Sequence, residues 1–251
     1  MPAPHLALVL AAIFWGALAR AFTGFGAVLF ALPLLALVLP VREAVPLLVS
    51  VGLVNGLWLS WRGRRDASVT ECRRLLLGGV PGALAGLLLA RNAPDHVLRG
   101  LLGLLVALAG VWVARRSEGP EREWLPGWGY GAGVAGGVLG GLYGLSGPAP
   151  VLYLSGRTLT PAVFRATLLL YITALDLVLA TGFAVGKSLG PHTAALGLAL
   201  LPVALAGSWL GERLHRRAPE VVFRRLTGFG LTVMGLVLAV RAYLDANLPG
   251  N

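Results

Sequence analysis

Two glycine-rich stretches interrupt apolar runs, and they are the places where backbone groups are most available for chemistry. The first occupies residues 22–26 (Phe-Thr-Gly-Phe-Gly) and the second residues 142–148 (Leu-Tyr-Gly-Leu-Ser-Gly-Pro). A helix that begins after such a break presents free N–H groups and the positive end of its dipole, and both favour an anion. We therefore predict anion-binding amides at residues 25–28 and 147–151. The alternative interpretation is that these glycines only let membrane helices pack closely.

Two ionisable side chains belong to the same hypothesis. Asp176 lies deep in the apolar run at residues 161–184, where an unpaired carboxylate costs several kcal/mol and must pair, take a proton or line a cavity. We predict that it couples transport to protons or orients the substrate, with a hydrogen-bonded structural aspartate as the alternative. Arg20 directly precedes the first break and is a candidate cation for an anionic substrate, although such a side chain also commonly extends to the membrane surface.

Polar side chains near the breaks complete the predicted site. Asn55 lies at the position of the first half of the chain that corresponds to Asp176, and Thr173 is a further hydroxyl donor. The predicted substrate contacts are Thr23, Gly24, Phe25, Gly26, Ser50, Asn55, Tyr143, Gly144, Ser146, Gly147 and Tyr171, with Asp176 and Arg20 as charged groups. No cofactor and no metal site is predicted, because the single cysteine, Cys72, belongs to no cluster with metal-ligand spacing.

A rival motif overlaps the second break. Residues 144–147 read G-x-S-G, and His192 follows 46 residues after Ser146. Rhomboid-type intramembrane proteases use a serine that a histidine activates. The corresponding place in the first half holds Gly26 instead of serine, and a protease would not need a repeated design. We keep this as an alternative and predict no enzymatic activity.

The composition shows what must position these residues. Of 251 residues, 57% are hydrophobic and only 13% charged, about half the charged share of a soluble domain. This excess of apolar residues indicates an all-α integral membrane protein. We predict crossing helices at 43–61, 75–91, 97–114, 161–184, 191–212 and 221–244. Shorter runs at 4–20, 27–40, 127–142 and 148–155 form two pairs, one around each break.

The chain also contains an internal repeat. Residues 93–103 match residues 218–228 at six of eleven positions, and residues 81–86 match residues 202–207 at five of six. We predict an N-terminal membrane repeat at residues 1–114, a cytoplasmic linker at 115–126 and a C-terminal repeat at 127–251. Each repeat has a broken, re-entrant helix pair and three crossing helices, which gives eight to ten helical segments.

The arginines indicate how the repeats are oriented. The net charge of +10 is concentrated between apolar runs, as in cytoplasmic loops, and does not form the continuous stripe of a nucleic-acid-binding protein. Corresponding loops of the two repeats carry opposite charge bias, which predicts inverted repeats with the arginine-rich loops 62–74, 115–125 and 213–225 in the cytoplasm. Five crossings per repeat would also satisfy this pattern. Eight full helices in parallel repeats are a further alternative.

These motifs resemble the TauE/SafE sulfite exporter family, also called the toluene-sulfonate uptake permeases. The resemblance rests on the Gly24-Phe25-Gly26 break, the second break from Gly144 to Pro148 and the paired Pro-x-Ala-Leu-Ala-Gly segments. It implies transport of sulfur-containing anions such as sulfite, sulfoacetate, thiosulfate or sulfonates across the bacterial cytoplasmic membrane, with the breaks as substrate contacts. It does not imply a direction of transport.

The sequence thus predicts a secondary transporter whose partners are a small anion and the lipid bilayer. Coupling to a proton or ion and a homodimer are further expectations, and nucleic acid is excluded as a partner. An anion channel is the first alternative. An ATP-driven pump is disfavoured because the chain has no G-x-x-x-x-G-K-[ST] motif.

Overall fold

The structure is a computed structural model that describes residues 3–23, 25–115 and 125–215, together with residues 236, 237 and 240. The described residues form α-helices and the turns between them. The helices are α1 (Ala3–Thr23), α2 (Ala27–Leu35), α3 (Val41–Gly63), α4 (Val69–Asn92), α5 (Asp95–Arg115), α6 (Trp128–Tyr143), α7 (Pro148–Ser155), α8 (Pro161–Val185) and α9 (Pro191–His215). Most of the predicted crossing at 221–244 and most of the linker lie outside the described residues.

Five of the described helices are long and apolar enough to cross a bilayer: α1, α3, α4, α8 and α9. The all-helical membrane fold is therefore confirmed. The expectation of a short helix at 4–20 was wrong, since α1 has 21 residues and is about 31 Å long. Helix α5 also has 21 residues but is not one of the five.

Helices α2 and α7 are much shorter than the others. Helix α2 has nine residues and α7 has eight, so they are about 12–14 Å long, whereas the hydrocarbon core is about 30 Å thick. Each follows a break and is followed by a long helix. Neither can cross the membrane alone, as the sequence predicted.

Two helix pairs pack with their backbones in close contact. A methyl group placed on Gly82 or Gly86 of α4 would collide with the carbonyl oxygens of Val134 or Val138 on α6. On α9, Gly207 lies in the same way against the carbonyl of Phe14 on α1. Residue numbers rise together along both pairs, so the partners run parallel. Gly86 and Gly207 are corresponding positions of the sequence repeat, and small residues there allow the close approach.

Helices α3 and α8 cross at the centre of the described residues and run in opposite directions. Gly52 lies beside Asp176, Gly56 beside Thr173 and Gly63 beside Ala166, so residue numbers fall on one helix as they rise on the other. These two helices follow the two breaks.

A buried carboxylate holds the second short helix in place. Glu71, in the first turn of α4, accepts hydrogen bonds from the Tyr153 hydroxyl of α7 at 2.6 Å and from Arg74 at 2.7 Å. Arg157, just after α7, lies 3.3 Å from the same carboxylate. Because Glu71 is only 5% exposed, these partners compensate its desolvation. The C-terminal end of α7 is thereby attached to α4.

Candidate functional site

The two breaks meet at one cavity between α3 and α8. Its volume is about 30 Å³, which is room for about two water molecules. Phe25 and Gly26 line it from the first break, and Gly144, Ser146 and Gly147 line it from the second. A methyl group placed on Gly147 would lie 3.1 Å from Phe25 Cβ, so the breaks are in direct contact.

The first break exposes the N-terminus of α2. Gly26 has φ 96°, a left-handed conformation that glycine adopts without steric cost, and it caps the helix. The first helical hydrogen bond runs from the Phe30 N–H to the Gly26 carbonyl at 3.1 Å. The N–H groups of Ala27, Val28 and Leu29 precede that bond, and all three residues line the cavity. This end of α2 can therefore donate to an anion.

The second break offers fewer donors than predicted. Helix α6 ends at Tyr143 and is capped by Gly144, which has φ 70°, and α7 begins at Pro148. Pro148 and Pro150 have no N–H group, and the Val151 N–H is bonded to the Gly147 carbonyl at 3.0 Å. The expectation of free amides throughout 147–151 was therefore wrong. Ser146 is the residue of the second break with a polar side chain in the described cavity lining.

An ion pair between α1 and α8 forms one wall of the cavity. Arg20 Nη1 lies 3.3 Å from Asp176 Oδ2 and donates to the Gly52 carbonyl at 2.9 Å, while its Nη2 donates to Thr173 Oγ1 at 3.4 Å. The side chains of Arg20 and Asp176 are 4% and 5% exposed. Arg20 therefore points inward and does not extend to the membrane surface. Asp176 is paired, as a buried carboxylate must be.

Some donors at this cavity have no partner. Ser146 is 1% exposed, and its hydroxyl forms no hydrogen bond within the described part of the chain. The same holds for Nε of Arg20. Buried polar groups are almost always paired, so these two donors remain available to an acceptor that enters the cavity.

Comparisons with known proteins identify the family of this chain. The family model "Sulfite exporter TauE/SafE" matches residues 8–238, which is most of the chain. The chain belongs to the TauE/SafE family. The resemblance inferred from the breaks is thus confirmed, and the protein is a membrane transporter of this family.

A curated relative of the TauE/SafE protein described here is "Probable inner membrane transporter protein TsaS" of Comamonas testosteroni. The two are 33% identical over 166 residues, which cover 65% of this chain and 69% of the relative. No solved structure matches the chain. The family and this relative are transporters, which supports a non-enzymatic role.

Four predicted contacts of this TauE/SafE protein are absent from the cavity wall. The Ser50 hydroxyl is bonded to the Pro46 carbonyl of its own helix at 2.7 Å, and the Asn55 amide donates to Ser208 at 2.7 Å. Tyr143 and Tyr171 are fully buried among apolar side chains. Gly24 and the Thr23 side chain lie outside the described residues. The other predicted residues line the cavity: Phe25, Gly26, Gly144, Ser146, Gly147, Arg20 and Asp176.

Two glycines of α3 were missed at the sequence level. A methyl group on Gly56 would lie 2.6 Å from both Arg20 Nη2 and Thr173 Oγ1, and one on Gly52 would lie 3.1 Å from Arg20 Nη1. These glycines make room for the guanidinium. The sequence did contain a pattern that could have identified them. Gly52 and Gly56 are one helical turn apart, and a buried arginine needs a flat surface of small residues beside it.

A larger groove lies between the ends of α3, α4, α5 and α8. Its volume is about 950 Å³, and its wall is mostly apolar, with Arg42 and Arg91 as the charged members among the described lining residues. Size alone would favour this groove as the site. The small cavity is the stronger candidate, because both breaks, the N-terminus of α2 and the Arg20–Asp176 pair line it.

The protease alternative finds no support from the backbone. Ser146 lines the cavity after α6, whereas His192 is in the first turn of α9. The His192 side chain lies outside what the structure describes.

Proposed function

We propose that this TauE/SafE protein is a secondary transporter that binds a small sulfur-containing anion, such as a sulfite, thiosulfate or sulfonate, at the cavity between the two breaks. One observation carries the proposal: both breaks, the α2 N-terminus and Arg20 converge on a single buried point. As in the relative named an inner membrane transporter, we place the protein in the bacterial inner membrane.

Each group at the cavity has a proposed role. The N–H groups of Ala27 to Leu29 and the hydroxyl of Ser146 would donate to the anion's oxygens, and Arg20 would supply the positive charge. The glycines at 26, 144 and 147 would let the anion approach the backbone. Ser50, Asn55, Tyr143 and Tyr171 would act through packing, because they are not at the cavity wall.

We further propose that residues 1–114 and 127–251 form inverted repeats. The antiparallel crossing of α3 and α8, which follow the two breaks, supports this arrangement, since parallel repeats would make corresponding helices parallel. The matching contacts of Gly86 and Gly207 support it as well. Rocking of one repeat against the other would widen a cavity that now has room for about two water molecules and expose it to each side in turn.

The test is anion binding by the purified protein, measured as a shift of the melting temperature. Sulfite, thiosulfate, sulfate, sulfoacetate, taurine and simple carboxylates should be compared. We expect a sulfur anion to stabilise the wild type, and Arg20→Gln to weaken that binding at least about tenfold, because a hydrogen bond to a charged group contributes about 1.5–3 kcal/mol. Arg62→Gln is the matched control, since Arg62 is exposed at 57% and lies far from the cavity lining.

Uptake into proteoliposomes distinguishes a transporter from a channel. A transporter gives saturable flux that an anion gradient drives, together with exchange of internal for external anion. Flux that rises linearly with concentration, with single-channel currents, would instead assign the cavity to a channel pore. Equal stabilisation of wild type and Arg20→Gln by every anion would contradict the proposed site.

A further inference from the structure

The cavity is electrically balanced in the absence of an anion. Arg20 and Asp176 are the charged residues among its described lining residues, and they are paired with each other at 3.3 Å. The rest of the wall is apolar, glycine or proline, apart from Ser146. An anion that enters must therefore share or take over the guanidinium that Asp176 already holds.

No described neighbour offers Asp176 a second cation. Helix α1 contributes Arg20, the wall from α2 consists of residues 27–29, and α3 contributes Leu48, Val49 and Gly52. Helices α4, α6 and α7 also pack against α8, and their residues 75–90, 128–143 and 148–155 include no basic residue. On α8 itself Thr173 accepts a hydrogen bond from Arg20, and the Tyr171 hydroxyl donates to the Gly133 carbonyl, so neither side chain supplies a positive charge. If the anion displaces the carboxylate from Arg20, the described structure provides no other group that would compensate its charge.

We propose that the substrate anion displaces Asp176 from Arg20, that Asp176 takes up one proton as it leaves, and that the site consequently carries a monovalent anion together with a proton. This inference rests on the proposed function. The proton passes from the surrounding water to a carboxylate oxygen of Asp176 on loading and returns on release. No covalent bond of the substrate is made or broken.

The physical reason is the cost of net charge inside a bilayer. The empty site is neutral, because Arg20 and Asp176 cancel. A site with Arg20, a monovalent anion and protonated Asp176 is neutral as well, so both states can pass through the low-dielectric midplane. A divalent anion, or a monovalent one beside an ionised Asp176, leaves a net charge of −1. The same protein would therefore select by charge as well as by shape.

Calorimetric titration of the wild type provides a direct test. Methanesulfonate, which stays monovalent, and sulfate, which stays divalent, are titrated in pairs of buffers that differ in ionisation enthalpy, at weakly acidic and weakly alkaline pH. We expect methanesulfonate to bind with uptake of close to one proton, its affinity falling by about tenfold per pH unit at alkaline pH. Sulfate should bind at least about tenfold more weakly, because it leaves uncompensated charge.

Asp176→Asn is the informative variant. It should bind methanesulfonate without proton uptake and without pH dependence, and more tightly than the wild type at alkaline pH, because Arg20 then has no internal competitor. The control is Glu43→Gln, which removes an exposed carboxylate outside the described cavity lining and should retain the pH dependence of the wild type.

The outcomes separate the two proposals. If the wild type binds methanesulfonate without taking up a proton, or prefers sulfate, this inference is overturned and the proposed function stands. If it binds no sulfur anion in any buffer, the proposed function fails and the inference fails with it. The wild-type titration decides the matter even where Asp176→Asn does not fold.

Discussion

Replacing the buried residue Ser146 with alanine is expected to weaken anion binding without lowering the stability of the protein. Its hydroxyl is 1% exposed and unpaired in the described structure, so Ser146→Ala removes an unsatisfied polar group. We expect the melting temperature to stay the same or rise, and the affinity for the sulfur anion to fall by about three- to tenfold through loss of one hydrogen bond worth about 1 kcal/mol. Thermal melting and anion titration of the same sample measure both.

Ser50→Ala is the matched control for Ser146→Ala. The Ser50 hydroxyl is bonded within its own helix, to the Pro46 carbonyl, and is not at the cavity wall, so affinity should not change. A lower melting temperature with unchanged affinity in Ser146→Ala would show that the hydroxyl is structural. If cleavage of a membrane substrate were found in the wild type and lost in this variant, the protease alternative would be restored.

At the scale of elements, the parallel contact of α4 and α6 determines where the second break lies. Gly137 of α6 faces Gly79 and Ala83 of α4, and a methyl group there would come within 2.7 Å of the Ala83 nitrogen. Since backbone cannot move as a flexible side chain can, we expect Gly137→Ala to destabilise the protein by about 1–3 kcal/mol. The fall in melting temperature in detergent measures the effect.

Helix α6 also supplies the control for Gly137→Ala. Gly131 lies six residues earlier on the same helix, and a methyl group there would meet nothing within 4 Å among the described atoms. Gly131→Ala should leave stability unchanged or raise it slightly, because alanine favours the helix by up to about 1 kcal/mol. Equal effects of both substitutions would mean that helix propensity, and not backbone contact, governs this interface.

For the whole molecule, the orientation of the repeats can be tested by labelling. Residues 64–68 follow α3 and residues 186–190 follow α8, so these loops correspond in the two repeats. In a Cys72→Ser background, Arg65→Cys and Ser188→Cys place one exposed thiol in each loop. We expect a membrane-impermeant maleimide to label Ser188→Cys in intact spheroplasts and Arg65→Cys only in inside-out vesicles, because arginine-rich loops stay in the cytoplasm.

The labelling pattern decides between the two kinds of repeat. Labelling of both positions from the same side would contradict inversion and favour parallel repeats. The native Cys72 is buried, at 4% exposed, so its replacement removes background labelling without removing an exposed contact.

Arg62 and Arg64 stack on Trp58 and Trp61 at 4.9 and 3.6 Å, which fits the membrane boundary at this end of α3.

Local patterns determined much of this protein. Long apolar runs can only be helices in lipid, because every backbone group must be satisfied within its own segment. Residues 22–26 and 142–148 could be recognised as breaks, because glycine and proline end helices wherever they fold. The family, too, could be inferred from those two motifs and the repeated Pro-x-Ala-Leu-Ala-Gly segments. These features depend on neighbours along the chain.

Only the tertiary structure decided which side chains reach the cavity. Ser50 and Ser146 both carry hydroxyls near apolar runs, yet the Ser50 hydroxyl is bonded to its own helix, whereas Ser146 lines the cavity and its buried hydroxyl has no partner among the described residues. Arg20 could have extended to the membrane surface. It points inward because Gly52 and Gly56, 32 and 36 residues away along the chain, leave space for it, and because Asp176 of the other half compensates its charge. Contacts between distant segments depend on packing, which no local pattern records.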